Sequence, residues 1–149
     1  MKPLLTHDVT MFRGVTQMSG VPARIELYED RFVLSVLDRT GQPYESVMDT
    51  PLSGLEVGGS MALLTFRVGD LKRRVDFSFS ARAVMVRPGG ALAVGPILKE
   101  SGIYQWLAAF RARSVRVRYF SLGHIWLVSL GAVAIIVAIV AAIGVNSVT

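Results

Sequence analysis

The chain has 149 residues, a formal charge of +5, an apolar fraction of 52% and no cysteine. Absence of cysteine excludes disulfides and thiolate metal sites. Four of the cations, Arg111, Arg113, Arg116 and Arg118, lie in one acid-free stretch, and removing them from the +5 leaves +1 for the rest, too little for a nucleic-acid-binding surface. Arginine supplies 13 of the 16 cations, which with abundant Ala, Val and Gly is the composition of a GC-rich bacterial genome.

The first residues, MKPLLTHDVT, hold no apolar h-region before Asp8, so no signal peptide is expected, and residues 1–9 read as an N-terminal extension. A first strand is expected at Thr10 to Thr16. Ala23 to Tyr28 and Arg31 to Leu37 both alternate in polarity around Glu29-Asp30, which predicts a hairpin. Asp38 to Pro43 is a loop by its Gly and Pro content. Short strands are expected near Glu45 to Met48 and Leu52 to Val57. Met61 to Val68 is a strongly apolar run, Gly69-Asp70 a turn, and Leu71 to Ser80 the returning strand. In that strand Lys72, Arg74, Asp76 and Ser78 share one face, while Arg73 interrupts the apolar face of Leu71, Val75, Phe77 and Phe79. Arg73 is expected either to meet a buried carboxylate or to sit on a bulge. Ala83 to Val86 is a further candidate strand before the loop at Pro88-Gly89-Gly90.

After Gly95-Pro96 the period changes. Ser101 is the expected N-cap, and Ile103, Trp106, Leu107 and Phe110 fall at i, i+3, i+4 and i+7, one apolar helix face. The helix is expected to run to Arg113, with residues 114–121 as a basic juxtamembrane segment.

Leu122 to Val145 reads LGHIWLVSLGAVAIIVAIVAAIGV, and no formal charge occurs from Tyr119 to Thr149. At about 1.5 Å per residue, roughly 22 residues reach across the roughly 30 Å core of a bilayer. From Leu130 to Ile143 no helix face is polar, and so short a chain has no core large enough to bury it. A transmembrane helix at 122–145 with an external tail at 146–149 is therefore expected. Arginine beside a span stays on the cytoplasmic side, which places the N-terminal domain in the cytoplasm and the C-terminus outside. Tyr119, Phe120, His124 and Trp126 are expected at headgroup level on that side. Within the span, Gly131, Ala134, Ala138, Ala141 and Ala142 form a small-residue stripe against which another helix can pack closely.

Chemistry for catalysis is sparse. The two histidines are His7, expected near a loose terminus, and His124, at the interface. Glu29-Asp30 reads as a turn, since adjacent strand residues face opposite ways. Leu55 to Ser60 (LEVGGS) and Gly89-Gly90 lack the strand-to-helix setting of a phosphate loop. No catalytic residue, metal or cofactor is expected, and no nucleic-acid role for Lys72-Arg73-Arg74.

A run of short strands followed by one amphipathic helix with Trp106 at its middle resembles the order of a bacterial pleckstrin-homology (PH)-like or GRAM-like domain, here fused to one C-terminal transmembrane helix. The resemblance rests on Ile103 to Phe110 and on the Glu29-Asp30 and Gly69-Asp70 hairpins, and covers residues 10–113. It implies an α+β fold: a small, strongly bent antiparallel sheet or partly open barrel, capped by a helix whose Ile103, Trp106 and Phe110 pack on the strands. Unlike the lipid-binding subset, Phe12 to Tyr28 carries only Arg13 and Arg24 and no Lys. The resulting expectation is a non-enzymatic, single-pass accessory or scaffold subunit in the cell membrane, with membrane lipids and other integral membrane subunits as partners. The alternative is a membrane-tethered sensor whose PH-like domain binds anionic lipid headgroups.

Neutralising Arg111, Arg113, Arg116 and Arg118 together removes the charge asymmetry across the span. Insertion is then expected to fail or to become mixed, and reporter fusions at Thr149 read the orientation directly.

Overall fold

Alternation of apolar and polar residues makes a strand with one face to bury, and the described residues form eight strands. In the computed structural model, which describes residues 2–12, 20–77, 98–121 and 131–136, they are β1 (Leu5–Phe12), β2 (Gly20–Leu27), β3 (Arg31–Leu37), β4 (Pro43–Pro51), β5 (Glu56–Ser60), β6 (Leu63–Val68), β7 (Leu71–Asp76) and β8 (Arg116–Phe120). Helix α1 (Ile103–Ala112) lies between β7 and β8 in sequence. One open sheet holds these eight strands in the order β4-β3-β2-β1-β7-β6-β5-β8. The pairings from β4 through β1 and β7 to β5 are antiparallel. The protein is thus α+β, with few helices. It divides into two units, Met1–Tyr119 and Phe120–Thr149.

The sheet bends hard. Phe32 on β3 and Phe66 on β6 are separated by β2, β1 and β7, about 19 Å apart in a flat sheet with strands spaced about 4.8 Å. Their ring centroids are 4.4 Å apart. The two ends of the sheet therefore face each other across a shared core. Met11, Glu45, Val47 and Arg73, from β1, β4 and β7, line one cavity of about 240 Å³, which only a folded-over sheet allows. The fold line is β1: it pairs with β2 along its whole length, from Leu5 to Phe12, but with β7 only from Thr10 to Phe12.

Helix α1 fills the space between the halves. Ile103, Trp106, Leu107 and Phe110 are all buried. Phe110 meets the rings of Phe32 and Phe66 edge-on at 5.9 Å each. Trp106 lies 5.7 Å from Phe110 and 6.2 Å from Phe77, within the separation at which aromatic pairs attract beyond their area burial.

The hairpins at Glu29-Asp30 and Gly69-Asp70 form as expected, the first closed by the Tyr28 N–H donating to the Arg31 carbonyl at 2.9 Å. Other boundaries differ. The first strand begins at Leu5 instead of Thr10, so most of the supposed extension 1–9 belongs to the sheet; its alternation runs Leu5, His7, Val9, Met11, with an imidazole standing in for an apolar residue. The strand expected at Leu52 to Val57 is a 3₁₀ turn, Leu52–Gly54, followed by β5. The apolar run from Met61 supplies a turn and then β6. A Cβ at Gly59 would lie 2.1 Å from the Leu63 carbonyl oxygen, so only glycine permits the close approach of β5 and β6 there. β4 is longer than expected, and the expected strand at 83–86, the loop at 88–90 and the strand end at 78–80 fall outside the described residues.

The N-cap position of α1 is Gly102, left-handed at φ 72°, and not Ser101. Ser101 is one residue further out, its Oγ donating to the Leu98 carbonyl at 2.8 Å and accepting the Ile103 N–H at 3.4 Å. Residues 114–121, expected as a basic juxtamembrane segment, contain a strand that the sequence did not predict: the chain reverses at Ser114 (φ 59°), buries Val115 and enters the sheet as β8 beside β5. A β-branched residue at both 115 and 117 favours a strand, and the unpaired edge of β5 provides its place. α1 is therefore not the last element of this unit.

Replacing Trp106 by Ala removes a side chain that is 2% exposed and touches two further rings. The expected loss is about 3–5 kcal/mol, a fall in Tm of more than about 10 °C, measured by thermal unfolding of the full chain in mild detergent.

Candidate functional site

Register decides which charges meet. Glu56, Arg67 and Lys72 face one another across β5, β6 and β7, and the next outward row is Gly58, Thr65 and Arg74. On β8, Arg116 and Arg118 are exposed while Val117 and Tyr119 are half-buried. Arg116 Nη1 donates to Glu56 Oε1 at 3.2 Å, an exposed pair that contributes little stability but ties β8 to the same surface. Arg67, Arg116 and Arg118 line a cleft of about 100 Å³ together with Glu56, Val57, Gly58 and Thr65.

The other half of the sheet has the opposite balance. Strands β1–β4 carry Asp8, Glu26, Glu45 and Asp49 against Arg24 and Arg31. Both arginines there have carboxylate partners. Arg24 grips Asp8 with Nε at 2.6 Å and Nη2 at 3.1 Å, and this hydrogen bonding holds the Asp8 carboxyl below its usual pKa. Arg31 Nη1 reaches Asp49 at 3.4 Å, with its guanidinium 4.8 Å over the Tyr28 ring. Acidic residues thus predominate on β1–β4 and basic ones on β5–β8.

The arginine quartet is divided between two elements. Arg111 is exposed in the last turn of α1, and Arg113 gives its Nη1 to the Ala109 carbonyl at 3.1 Å, as a cation at a helix C-terminus should. Arg116 and Arg118 lie on β8 instead. Tyr119 donates its hydroxyl to the Met61 carbonyl at 2.7 Å and meets Tyr104 edge-on at 6.4 Å. Burial, with Tyr104 beside it, pushes its pKa up to about 12. It is a clasp between β8 and the β5–β6 turn, where Met61 holds a left-handed φ of 52°.

Arg73, expected to point inward, stands opposite buried Phe66 and is half-buried; its Nη1 turns back to the Lys72 carbonyl at 3.0 Å. Gly131 and Ala134 lie in a helical stretch, 131–136, that is exposed throughout. His124, Trp126, Ala138, Ala141 and Ala142 lie outside the described residues, as does most of the span expected at 122–145. Among the described residues no helix is long and apolar enough to cross a membrane, and no group of three His, Asp or Glu side chains is placed to hold a metal ion.

Sequence reasoning missed Arg67 and the joint face it makes with Lys72, Arg74, Arg116 and Arg118. The alternation of Lys72 and Arg74 was a local signal for one row of it; the rest comes from cross-strand register. His7 was also misplaced. Its ring stacks on Phe77 at 5.1 Å, and its Cε1 is 3.9 Å from where a Cβ on Gly102 would be, at the start of α1. Burial lowers its pKa, partly opposed by the Asp8 carboxylate.

No protein-family model matches the chain, and no curated protein matches it significantly.

The pH dependence of His7 follows from linkage. The folded state keeps the imidazole neutral below the pH at which the unfolded chain protonates it, about 6.5. The stability this residue confers is complete above about pH 6.5 and is lost as pH falls through the lowered folded value. Thermal melts between about pH 7.5 and pH 5 should therefore show Tm falling with acidification, and His7→Phe should flatten that fall.

Proposed function

We propose that this chain is a non-enzymatic, single-pass membrane protein that serves as an accessory or scaffold subunit of a membrane assembly. Its PH-like domain would be held on the cytoplasmic face and its C-terminal helix would lie among the helices of partner subunits. The observation that carries this reading is β8. It is part of the domain's sheet, and Phe120, its last residue, comes two positions before Leu122, where the uncharged apolar segment begins. A tether that lets a domain search for distant partners needs a flexible linker. Here the sheet runs almost directly into the apolar segment, which suits a domain kept at one height and presented to neighbours already in the bilayer. The PH-like element rests on the bent antiparallel sheet and the aromatic face of α1; it departs from the expected pattern in placing β8 after the helix.

The test inserts about ten Gly/Ser residues after Ser121, adding roughly 17 Å of flexible reach. Inserted protein should remain folded and membrane-bound, while the yield of co-purified membrane subunits in mild detergent should drop severalfold. Ala134→Ile with Ala138→Ile should lower the same yield by blocking close helix approach. Unchanged yields in both variants would remove the scaffold reading.

A further inference from the structure

We infer that the outward face of β5–β8 is a docking surface for an anionic lipid leaflet. The inference rests on the membrane-held reading above and adds which side of the domain meets the lipid. Arg67, Lys72, Arg74, Arg116 and Arg118 share this face with only Glu56 and Asp76 among the acids of their strands. Glu56 is engaged by Arg116, so the pair adds little net field at a distance. The β1–β4 half carries more acids than bases. A negatively charged surface therefore attracts one half of the sheet and repels the other, which fixes an orientation as well as an affinity.

The occupant follows from continuity with the apolar segment. Arg118 precedes Leu122 by four residues, so even a fully extended chain keeps it within about 13 Å of the point where that segment begins. That is close to the Debye length of about 10 Å at 0.1 M salt, the range over which headgroup charge is felt. A nucleic acid or a free acidic protein has no such reason to meet these particular arginines. The local shape suits a phosphate group too. Glu56, Gly58, Thr65, Arg67, Arg116 and Arg118 line a dip of about 100 Å³; Arg116 holds the Glu56 carboxylate at 3.2 Å, and Arg67 and Arg118 on either side can donate to one phosphodiester. The remaining cations are spread over a strand surface, which fits a leaflet better than one small ligand.

The experiment uses the full chain in nanodiscs, either of phosphatidylcholine alone or of phosphatidylcholine with phosphatidylglycerol. With no native cysteine, Thr65→Cys on the face and Glu29→Cys in the exposed β2–β3 turn each provide a single reactive thiol. The readout is the rate of modification by a water-soluble maleimide. Phosphatidylglycerol should slow the reaction at position 65 about tenfold and leave position 29 unchanged. Salt at about 1 M, where the Debye length is about 3 Å, should restore the rate. Lys72→Glu with Arg74→Glu should abolish the slowing while the protein still enters both discs. Equal rates at position 65 in both discs, or equal slowing at positions 65 and 29, overturns the inference and leaves the membrane reading intact. Failure to enter either disc overturns that reading and the docking surface with it. Protection of position 65 by soluble polyglutamate, with no effect of phosphatidylglycerol, gives the face to an acidic protein and overturns the lipid assignment.

Discussion

The contact between Phe32 and Phe66 is the constraint on which the rest of this domain depends. A single layer of antiparallel strands has two faces and can bury neither by itself. Bringing β3 onto β6 at 4.4 Å between ring centroids gives the sheet an inside, and α1 enters that inside with Phe110 against both rings. The bend needs a strand that can belong to both halves, and β1 serves by pairing fully with β2 and only at its end with β7. It also needs tight hairpins, which accounts for glycine at position 59 and a left-handed Met61 beside it. Because the core rings come from β3, β6, α1 and Phe77 just after β7, removal of one loosens contacts among elements far apart in sequence.

Folding also sorts the charge. Composition alone gives a nearly neutral domain once the quartet is set aside. The strands distribute that neutrality unevenly, with carboxylates and their arginine partners on β1–β4 and most unopposed basic character on β5–β8. Net charge describes a sum, whereas an approaching surface responds to the nearest face within a Debye length. A small total thus coexists with a strongly basic surface. The arrangement costs little in folding, because the arginines of β5–β8 keep their guanidinium groups at the surface, as Arg73 does by turning back to the Lys72 carbonyl.

What the sequence made legible was local. The hairpins at Glu29-Asp30 and Gly69-Asp70 and the apolar face of α1 are written in neighbouring residues, through alternation, turn chemistry and 3.6-residue spacing. β1 was obscured at its start because His7 occupies an apolar position, and only the Phe77 ring, seventy residues on, shows why an imidazole fits there. β5 was obscured by its glycines, which carry no hydrophobic signal but allow close backbone approach. β8 was obscured most, since alternating arginine and valine before an apolar segment has the composition of a membrane flank. Its place is created by the open edge of β5, a non-local fact that no window of sequence contains. The same limit applies to the basic surface. Lys72 and Arg74 were visible as one row, but Arg67 joins them through register and Arg116 and Arg118 through the addition of a strand.

β8 unites these points. Had α1 continued past Arg113, the chain would have left the domain as a free helical rod, able to swivel about its axis and to fray without disturbing the core. The reversal at Ser114 sends it back instead, burying Val115 and laying Tyr119 across the β5–β6 turn. The segment that approaches residue 122 is consequently bound by strand pairing, by the Arg116–Glu56 pair and by the Tyr119 hydroxyl. Alternation along β8 then separates two sides: Val117 and Tyr119 are half-buried against the domain, while Arg116 and Arg118 are exposed on its basic face. One five-residue strand both closes the domain's edge and orients its basic face, and for that reason neither role was readable from the arginines alone.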